Sequence, residues 1–267
     1  MVYPQMVLKK AYIIGYPLEH SLSPAMHNAA YKELGLDYSY EKLELPELTA
    51  KNIDLLREPD CLGANVTIPH KKTAAKLLQS SAIDKLYGSV PDTGSLNTIV
   101  NFNASGRLHG HNTDGLGYMH ALKEDNIILT GKKVILFGNG GAAQAIKPYI
   151  DKETKYLSIA TRNSPRPDIA SADIVINATP AGMFPKVNET ILTDLSGIHD
   201  GQIFIDIVYN PRETLFLRNA RSRGARVHAG WKMLLYQGAH AFHLLTGIPF
   251  GKIPVDIMRQ TLLAKLA

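Results

Sequence analysis

The sequence contains a single cysteine, Cys61, among 267 residues, so no internal disulfide bond can form. A protein without disulfides is typical of a reducing compartment, and we therefore expect a cytoplasmic location. No apolar run approaches the roughly 18 residues of a membrane span, and no charged-then-apolar leader stands at the start. Lysine and arginine are scattered, and no aromatic stacking motif accompanies them. These absences argue against a membrane protein and against a nucleic-acid-binding module.

The residues that are present describe an ordinary globular protein, because 45% are hydrophobic and 20% are charged. A length of 267 residues suggests one large domain or two modest ones. The net charge of +5 is mild. It favours a small anionic ligand, such as a phosphate or a carboxylate, over a nucleic acid.

Strands and helices alternate in the first part of the chain, which predicts an α/β layer up to about residue 110. Ser23 is predicted to cap a helix that has Pro24 at its first position. The predicted strands are 11–14, 38–45 and 64–68, the predicted helices are 25–34, 48–56 and 72–78, and a hairpin joins 97–102 to 107–109.

A second α/β unit is predicted to start near Gly131. Its strands are continuous apolar runs, which are typical of strands buried in a parallel sheet. The predicted strands are 133–137, 156–160, 173–178 and 202–208, with a short one from 227, and the predicted helices are 231–245 and 255–266. The last helix is expected to pack back on the first unit. We therefore expect two α/β domains with a cleft between them.

The segment Gly63–Lys71 contains the first candidate catalytic residue. Apolar and polar residues alternate from Ala64 to Ile68, which predicts a half-buried strand, and Pro69 ends it. The following helix places Lys71 at a strand-to-helix junction, where the helix N-terminus carries partial positive charge. Positive surroundings favour a neutral amine, which suits a residue that transfers protons. The alternative is a solvated lysine at a helix start.

A glycine cluster follows the buried strand 133–137 and opens a helix, the context of a dinucleotide-binding turn. Gly138, Gly140 and Ala143 fit the pattern G-x-G-x-x-A. The first glycine allows a tight turn, the second lets backbone approach a pyrophosphate, and the alanine permits close helix–strand packing. Free N–H groups at the helix start then bind phosphates. The alternative is a purely structural turn.

The end of the next strand favours NADP over NAD. NAD sites place an acidic residue there, whereas this strand ends with Thr161, Arg162 and Asn163. Arg162 suits a 2′-phosphate, and its two neighbours can add hydrogen bonds. Only ten residues, 163–172, separate Arg162 from Asp173, fewer than a complete crossover needs. We therefore expect part of the wall around the adenine to be missing or shortened.

Two further segments carry polar groups suited to a small ligand. Ser21 and Ser23 present hydroxyls from one loop at a helix start, which suits an anionic or hydroxylated ligand, although Ser23 alternatively only caps the helix. Asp114 precedes a helix predicted over 115–123 and alternatively only caps it. Beside an ammonium group, its carboxylate would orient Lys71 and a substrate hydroxyl.

Eight short motifs occur in order: H-S-x-S-P, N-V-T-x-P-x-K, N-T, N-T-D-G, G-x-G-G-A-A, N-A-T-P-x-G-M, D-x-V-Y-N-P and M-L-x-x-Q. With them, the chain resembles the shikimate dehydrogenase family from Tyr12 to about Leu245. The resemblance implies NADPH-dependent reduction of 3-dehydroshikimate to shikimate in aromatic amino acid biosynthesis. It also implies an α/β substrate-binding and catalytic domain, residues 1–114 and 240–267, and a Rossmann-like doubly wound NADP domain, residues 115–239.

The resemblance also implies roles for individual residues. Lys71 matches the family's catalytic lysine, with Asp114 as its partner. The positions that match substrate-binding residues are Ser21, Ser23, Thr67, Asn97, Asp114, Tyr209 and Gln237. The positions that match cofactor-binding residues are Gly138, Asn139, Gly140, Gly141, Ala142, Thr161, Arg162, Asn163 and Thr179, with Ile207, Gly230 and Met233 at the nicotinamide end. No metal ligand is implied, and a monomer or homodimer is expected.

The sequence departs from the family pattern at the adenine end of the cofactor site. Asn139 replaces a usual alanine, Thr161–Asn163 stand where the family commonly has Asn-Arg-Thr, and the segment after Arg162 is short. Two alternatives to an NADP-dependent shikimate dehydrogenase stay open. One is a quinate or dual quinate/shikimate dehydrogenase that uses NAD, and the other is a non-catalytic NADP-binding sensor.

Overall fold

A computed structural model describes residues 8–266, and its strands form two separate sheets. The chain divides into two compact units. The first comprises the residues up to Thr113 together with Gln237–Lys265, and the second comprises Asp114–Tyr236. The α/β fold class is confirmed.

The first sheet has six strands in the order β2-β1-β3-β5-β6-β4, with β5 antiparallel to both of its neighbours. The strands are β1 (Lys9–Gly15), β2 (Tyr38–Glu44), β3 (Cys61–Val66), β4 (Lys85–Leu86), β5 (Thr98–Asn101) and β6 (Leu108–His111). The helices, in chain order, are α1 (Ser23–Glu33), α2 (Ala50–Asp54), α3 (Lys71–Gln79), α4 (Val90–Thr93), α5 (Asp114–Glu124), α6 (Gly141–Glu153), α7 (Leu215–Ser222), α8 (Trp231–Thr246) and α9 (Val255–Lys265). As predicted, α9 packs against α1 in the first unit.

The second sheet is entirely parallel and has the order β11-β10-β9-β7-β8. Its strands are β7 (Lys133–Phe137), β8 (Tyr156–Ala160), β9 (Ile174–Asn177), β10 (Ile203–Asp206) and β11 (Arg226–His228). Alternate residues of β7 belong to different apolar clusters: Val134 and Leu136 to one, Ile135 and Phe137 to the other. Apolar packing on both faces makes this the predicted Rossmann-like, doubly wound sheet.

The prediction of a half-buried strand over 64–68 is wrong. All six residues of β3 are buried, because β3 lies between β1 and β5 in the middle of the sheet. Asn65, the polar member, is 7% exposed. Its side chain accepts a hydrogen bond from the Tyr40 hydroxyl (2.7 Å) and donates to the Thr98 hydroxyl (2.9 Å). Ile68, expected to face the core, is 70% exposed because the strand has already ended.

The predicted capping role of Ser23 is also wrong by one residue. Helix α1 begins at Ser23 itself, and the capping position is occupied by Leu22, which has no side-chain hydrogen bond to the helix. Pro24 lies in the first turn, as expected. The Ser23 hydroxyl is therefore not used to cap the helix.

The short connection after Arg162 shapes the edge of the second sheet. In residues 161–173, all of which the structure describes, the chain forms only one 3₁₀ turn, Ile169–Ser171, and no strand or α-helix. β8 is therefore an edge strand, whereas a complete Rossmann unit continues with a further strand beyond it.

A substitution at Gly63 in β3 tests how tightly the first sheet is packed. Its φ is +134°, and an added Cβ would lie 2.0 Å from the carbonyl oxygen of Ile99 on the neighbouring strand. Because backbone cannot move without breaking the β3–β5 ladder, we expect Gly63→Ala to cost about 3 kcal/mol or more. Urea unfolding measures the loss.

Gly35→Ala is the matched control for this prediction. Gly35 also has a positive φ, +63°, but no described atom lies within 4 Å of an added Cβ. That change should cost only about 1 kcal/mol of backbone strain. Equal losses in the two variants would contradict the packing argument.

Candidate active site

The strand ends of the first unit bring two predicted substrate residues to one edge of the sheet. β1 and β3 run parallel, and β5 runs antiparallel to β3. Thr67, directly after β3, and Asn97, directly before β5, therefore lie at the same edge. The N–H of Thr67 donates to the carbonyl oxygen of Ile14 near the end of β1 (2.8 Å).

Lys71 is the first residue of α3, at the predicted strand-to-helix junction. It is partly buried, whereas its neighbour Lys72 is exposed. The Lys71 carbonyl accepts a hydrogen bond from the N–H of Leu96 (3.2 Å), the residue before Asn97. The backbone of Lys71 is thus attached to the edge that contains Asn97 and Thr67.

Asn97 is the centre of a buried hydrogen-bond network and is 1% exposed. Its side-chain oxygen accepts from the N–H of Thr113 (2.8 Å) and from the Thr98 hydroxyl (2.9 Å). Its amide nitrogen donates to the Thr113 hydroxyl (3.0 Å) and to the side-chain oxygen of Gln237 (3.5 Å). Two predicted substrate residues that are 140 positions apart, Asn97 and Gln237, are therefore in contact.

The loop that contains Ser21 and Ser23 starts at the same edge. An added Cβ at Gly15 would lie 2.4 Å from the Thr67 methyl group, so the beginning of the loop packs directly on Thr67. Ser21 is partly buried, and its N–H donates to the carbonyl of Leu18 (3.0 Å). Ser23 is 6% exposed. The loop that contains Ser21 thus begins beside Thr67 and ends at Ser23, the first residue of α1.

Asp114 follows Thr113 directly and is the first residue of α5. Its side chain is buried, and the residue is 6% exposed. Its predicted pairing with Lys71 stays a prediction.

The glycine loop of the second unit has the backbone geometry that its motif predicts. Gly138 has φ +110°, and an added Cβ would lie 2.6 Å from the carbonyl oxygen of Ala178. Only glycine fits there. Gly140 and Gly141 begin α6, and no described atom lies within 4 Å of an added Cβ at either. Open space above free helix-start N–H groups is the arrangement that accepts a pyrophosphate.

Thr161, Arg162 and Asn163 are exposed at the end of β8, as their assignment to a 2′-phosphate requires. Ser164 stabilises this turn: its hydroxyl oxygen accepts from the N–H of Thr161 (2.5 Å), and its hydroxyl donates to the Thr161 carbonyl (3.0 Å). Ser164 was not predicted as a site residue. The only feature of the sequence that points to this role is a serine four positions after the predicted strand end.

A buried carboxylate, Asp206 at the end of β10, joins the segment after β10 to the end of β9. It is 0% exposed and accepts hydrogen bonds from the Thr214 hydroxyl (2.6 Å), the N–H of Val208 (2.9 Å) and the amide of Asn177 (3.1 Å). Burial raises the pKa of Asp206 to about 6, although the three donors act in the opposite direction.

Asn177 extends this network to Thr179. The Asn177 side-chain oxygen accepts from the N–H (3.0 Å) and the hydroxyl (2.7 Å) of Thr179. Its amide nitrogen also donates to the Ala181 carbonyl (3.2 Å). Asp206 and Asn177 were not predicted as site residues, although each is a polar residue at the end of an apolar strand, and that pattern could have identified them.

The three residues assigned to the nicotinamide end adjoin one another. An added Cβ at Gly230 would lie 2.4 Å from the carbonyl carbon and oxygen of Ile207. Met233 is buried, and Ile207 packs against the same apolar cluster. Tyr209, predicted to bind substrate, lies two residues further along, and burial raises its phenol pKa.

A polar cluster holds the junction between β11 and α8, where Gly230 lies. His228, 2% exposed, has its Nδ1 2.7 Å from the carboxylate of Asp125. Lys232 pairs with the same carboxylate. Burial lowers the pKa of His228, and the Asp125 carboxylate partly offsets this effect. Asp125 is 103 residues from His228 in sequence and was not predicted as a site residue.

No set of three or more residues able to hold a metal ion occurs within residues 8–266.

Known proteins share both the sequence and the fold. A family model described as shikimate dehydrogenase substrate binding domain matches residues 13–99, and one described as shikimate 5′-dehydrogenase C-terminal domain matches residues 230–263. Shikimate dehydrogenase (NADP(+)) of Methanobrevibacter smithii is 38% identical over 94% of this chain and 94% of its own length. The chain belongs to the shikimate dehydrogenase family. The recognition made from the eight motifs is confirmed.

Two solved structures of this family have the same fold. Shikimate 5-dehydrogenase from Listeria monocytogenes, in complex with shikimate and NAD, is 34% identical, with a TM-score of 0.83 over 95% of this chain and 96% of its own. The enzyme from Thermus thermophilus, in complex with NADP(H) and shikimate, is 29% identical, with a TM-score of 0.86 over 97% of this chain and 100% of its own.

The raised pKa of Asp206 predicts how its contribution to stability depends on pH. The folded-state pKa of about 6 exceeds the ordinary value of 3.8. The stability linked to this group is therefore fully present below 3.8 and is lost as pH rises through 6. Relative to Asp206→Asn, the wild type should lose about 2–3 kcal/mol between pH 4 and pH 7.

Urea unfolding of both proteins at the two pH values measures this difference. Asp200→Asn is the matched control variant, because Asp200 is an exposed aspartate of the same unit. A wild-type advantage over Asp206→Asn that is constant or larger at pH 7 would contradict the raised pKa.

Proposed function

We propose that this chain catalyses the reversible, NADPH-dependent reduction of 3-dehydroshikimate to shikimate. The observation that carries the proposal is the meeting of Thr67, Lys71 and the Asn97–Gln237 contact at one edge of the first sheet. Relatives that are 34–38% identical over most of the chain are named shikimate dehydrogenase (NADP(+)). Family membership and local geometry thus support the same reaction.

Substrate recognition is assigned to residues 1–114 and 240–267 together with Tyr209 and Gln237. Shikimate carries hydroxyl groups and a carboxylate, and the first unit offers hydroxyl and amide groups to match them. Buried, prearranged polar groups are selective because a ligand without matching groups leaves them unpaired. The proposed substrate-binding residues are Ser21, Ser23, Thr67, Asn97, Asp114, Tyr209 and Gln237.

Lys71 is the proposed proton-transfer residue. It would donate a proton to the carbonyl oxygen during reduction and accept one from the hydroxyl during oxidation. Its position in the first turn of a helix, partly buried and attached through its backbone to Leu96, limits its freedom to move. Asp114 would orient both the lysine and a substrate hydroxyl.

The second unit fits NADP. The open space at Gly140 and Gly141 would receive the pyrophosphate, and exposed Arg162 would pair with the 2′-phosphate. When bound, the cofactor supplies or accepts the hydride. Thr179 would contact the cofactor from a loop held by Asn177, and the adjoining Ile207, Gly230 and Met233 would line its nicotinamide end.

A quinate or NAD-dependent enzyme is not favoured. Arg162 is suited to a 2′-phosphate that NAD lacks, and relatives at 36–38% identity bear the name of the NADP-dependent shikimate enzyme.

No helix within residues 8–266 has both the length and the apolar character needed to cross a membrane. The single, buried Cys61 supports a cytoplasmic setting. A monomer or a homodimer is proposed.

Replacing Lys71 with Ala tests the proposed reaction. We expect turnover to fall by about 10²–10⁴-fold, because no side chain then transfers the proton to or from the substrate oxygen. The Kd for shikimate should change little. The assay follows NADP reduction with shikimate by absorbance, and repeats with quinate and with NAD test the substrate and cofactor.

Lys72→Ala is the matched control, since Lys72 lies on the same helix turn but is exposed. It should keep near-normal turnover. Near-normal turnover in Lys71→Ala would refute the catalytic assignment. Wild-type binding of shikimate without any turnover would favour the non-catalytic sensor instead.

Arg162→Ala tests the choice of cofactor. Loss of a charge-assisted contact to the 2′-phosphate should raise the KM for NADPH by about 10- to 100-fold. The KM for NADH should stay constant, because NADH has no 2′-phosphate, and this makes NADH the internal control. Equal changes for both cofactors would exclude the proposed pairing.

A further inference from the structure

Four buried polar side chains of the first unit form an unbroken series of hydrogen bonds that begins at Tyr40 in β2. The Tyr40 hydroxyl donates to the side-chain oxygen of Asn65 (2.7 Å), and the Asn65 amide nitrogen donates to the Thr98 hydroxyl (2.9 Å). The Thr98 hydroxyl donates to the side-chain oxygen of Asn97 (2.9 Å). Each of the four residues is at most 7% exposed. We call this series, from Tyr40 to Asn97, the Tyr40 relay. It connects the edge strand β2 to a proposed substrate-binding residue through the core.

Two backbone groups fix the direction of the Tyr40 relay. The Asn65 amide nitrogen lies 3.1 Å from the backbone carbonyl oxygen of Asn97. A carbonyl oxygen only accepts, so the nitrogen of the Asn65 amide must lie on that side and its oxygen must face Tyr40. The backbone N–H of Thr113 lies 2.8 Å from the side-chain oxygen of Asn97 and fixes that amide in the same way. Both amide orientations therefore follow from contacts with the backbone.

Each hydroxyl of the Tyr40 relay is then left with one direction of donation. Tyr40 must donate, because the Asn65 oxygen that it meets can only accept. Thr98 accepts from Asn65 and therefore directs its own proton to Asn97. With its oxygen used in this way, Asn97 turns its amide nitrogen to the side-chain oxygen of Gln237 (3.5 Å). The relay thus also sets which end of the Gln237 amide faces Asn97.

Tyr40 is itself held in one position. The Asn28 side chain accepts from the N–H of Tyr40 (2.8 Å) and donates to its carbonyl oxygen (2.9 Å), and the His27 ring stacks on the phenol ring at 4.2 Å. Ala11, the residue of β1 in register with Tyr40, is small, which leaves room for the phenol to reach β3. Burial raises the pKa of Tyr40, so its hydroxyl keeps the proton that it donates.

We propose that Tyr40 is a positioning residue for substrate binding and that it acts through the Tyr40 relay on Asn97. The inference rests on the proposed function, because it assumes that Asn97 and Gln237 bind shikimate. Without the Tyr40 hydroxyl, the side-chain oxygen of Asn65 is left unpaired in the core. A buried unpaired acceptor is costly, and this cost favours rearrangement of the amides that follow it in the relay.

Tyr40→Phe tests the proposal, because it removes only the hydroxyl that begins the Tyr40 relay. We expect the KM for shikimate to rise about five- to tenfold, the effect of losing one hydrogen bond of ordinary strength. The KM for NADP, which is assigned to the second unit, should change by less than about twofold, because distant sites are affected independently. The measurement is the absorbance assay of NADP reduction, with each of the two substrates varied in turn.

Two control variants separate the relay from general effects on the core. Tyr31 is a second buried tyrosine of the same unit, 1% exposed, and its ring also contacts His27. Its hydroxyl bonds to no side chain or backbone group of residues 8–266. Tyr31→Phe therefore removes a buried hydroxyl outside the relay and should keep the wild-type KM for shikimate. Ile53→Val removes a buried methyl group from the core of the same unit, lowers stability, and should also keep that KM.

A second variant and a second measurement keep the test decisive if Tyr40→Phe folds poorly. Thr98→Val has a similar shape, breaks the Tyr40 relay next to Asn97 and should raise the KM for shikimate in the same way. Proton–nitrogen correlation spectra follow the side-chain amide signals of Asn97 and Gln237 without any turnover. These signals should shift in both relay variants and stay in place in Tyr31→Phe.

The outcomes separate this inference from the proposed function. If the wild type oxidises shikimate but Tyr40→Phe and Thr98→Val keep its KM and its amide signals, the inference is overturned. An equal rise in the KM for shikimate in Ile53→Val also overturns it, because lost stability alone would then explain the change. If the wild type neither binds nor oxidises shikimate, the proposed function fails, and the amide signals still decide whether Tyr40 orients Asn97. Shifts confined to the relay variants support that role, and unchanged signals exclude it.

Discussion

In each unit, a buried asparagine holds together the loops at the edge of the sheet where the strand ends meet. Asn97 does so in the first unit and Asn177 in the second. An amide both donates and accepts, so one side chain can satisfy an N–H, a hydroxyl and a carbonyl at once. A buried polar group left unpaired costs about 1–3 kcal/mol. The loops are therefore constrained to the one arrangement that satisfies the asparagine, and the proposed ligand-binding side chains are positioned by that arrangement.

The regular elements could be predicted from short-range patterns, whereas burial could not. Apolar runs, glycines and prolines locate most of the strands and helices because these signals act within a few residues, although β4, α4 and α7 were not predicted. Burial of β3 on both faces follows instead from its place between β1 and β5, and sheet order is a long-range property. The alternation in Ala64–Ile68 suggested an exposed face, but Asn65 is polar because it bonds to Tyr40 and Thr98 inside the core.

The candidate site likewise contains residues that the sequence identifies and residues that it does not. Residues that would contact ligands stand in recognisable motifs, because their chemistry fixes their type and spacing. Residues that position them, such as Asp206 and Asp125, act on partners far away in sequence: Asn177 is 29 residues from Asp206, and His228 is 103 residues from Asp125. The position of Asp206 at the end of an apolar strand marks it as unusual, but the sequence does not tell which partner an aspartate holds. Only the folded chain reveals the pairing.

The end of β8 and the edge of the sheet beside it differ in how far the sequence predicts them. Arg162 stands directly after β8, the strand that follows the glycine loop and α6, so its proposed pairing with a 2′-phosphate comes from the sequence alone. A cavity of about 380 Å³ combines the short connection after β8 with residues 191–197, which come after another strand. An added Cβ at Gly197 would lie 3.1 Å from the backbone nitrogen of Ala170, so a side chain there would hold the two segments apart. This contact joins segments that lie on either side of β9 in the chain, and no local pattern in either segment predicts it.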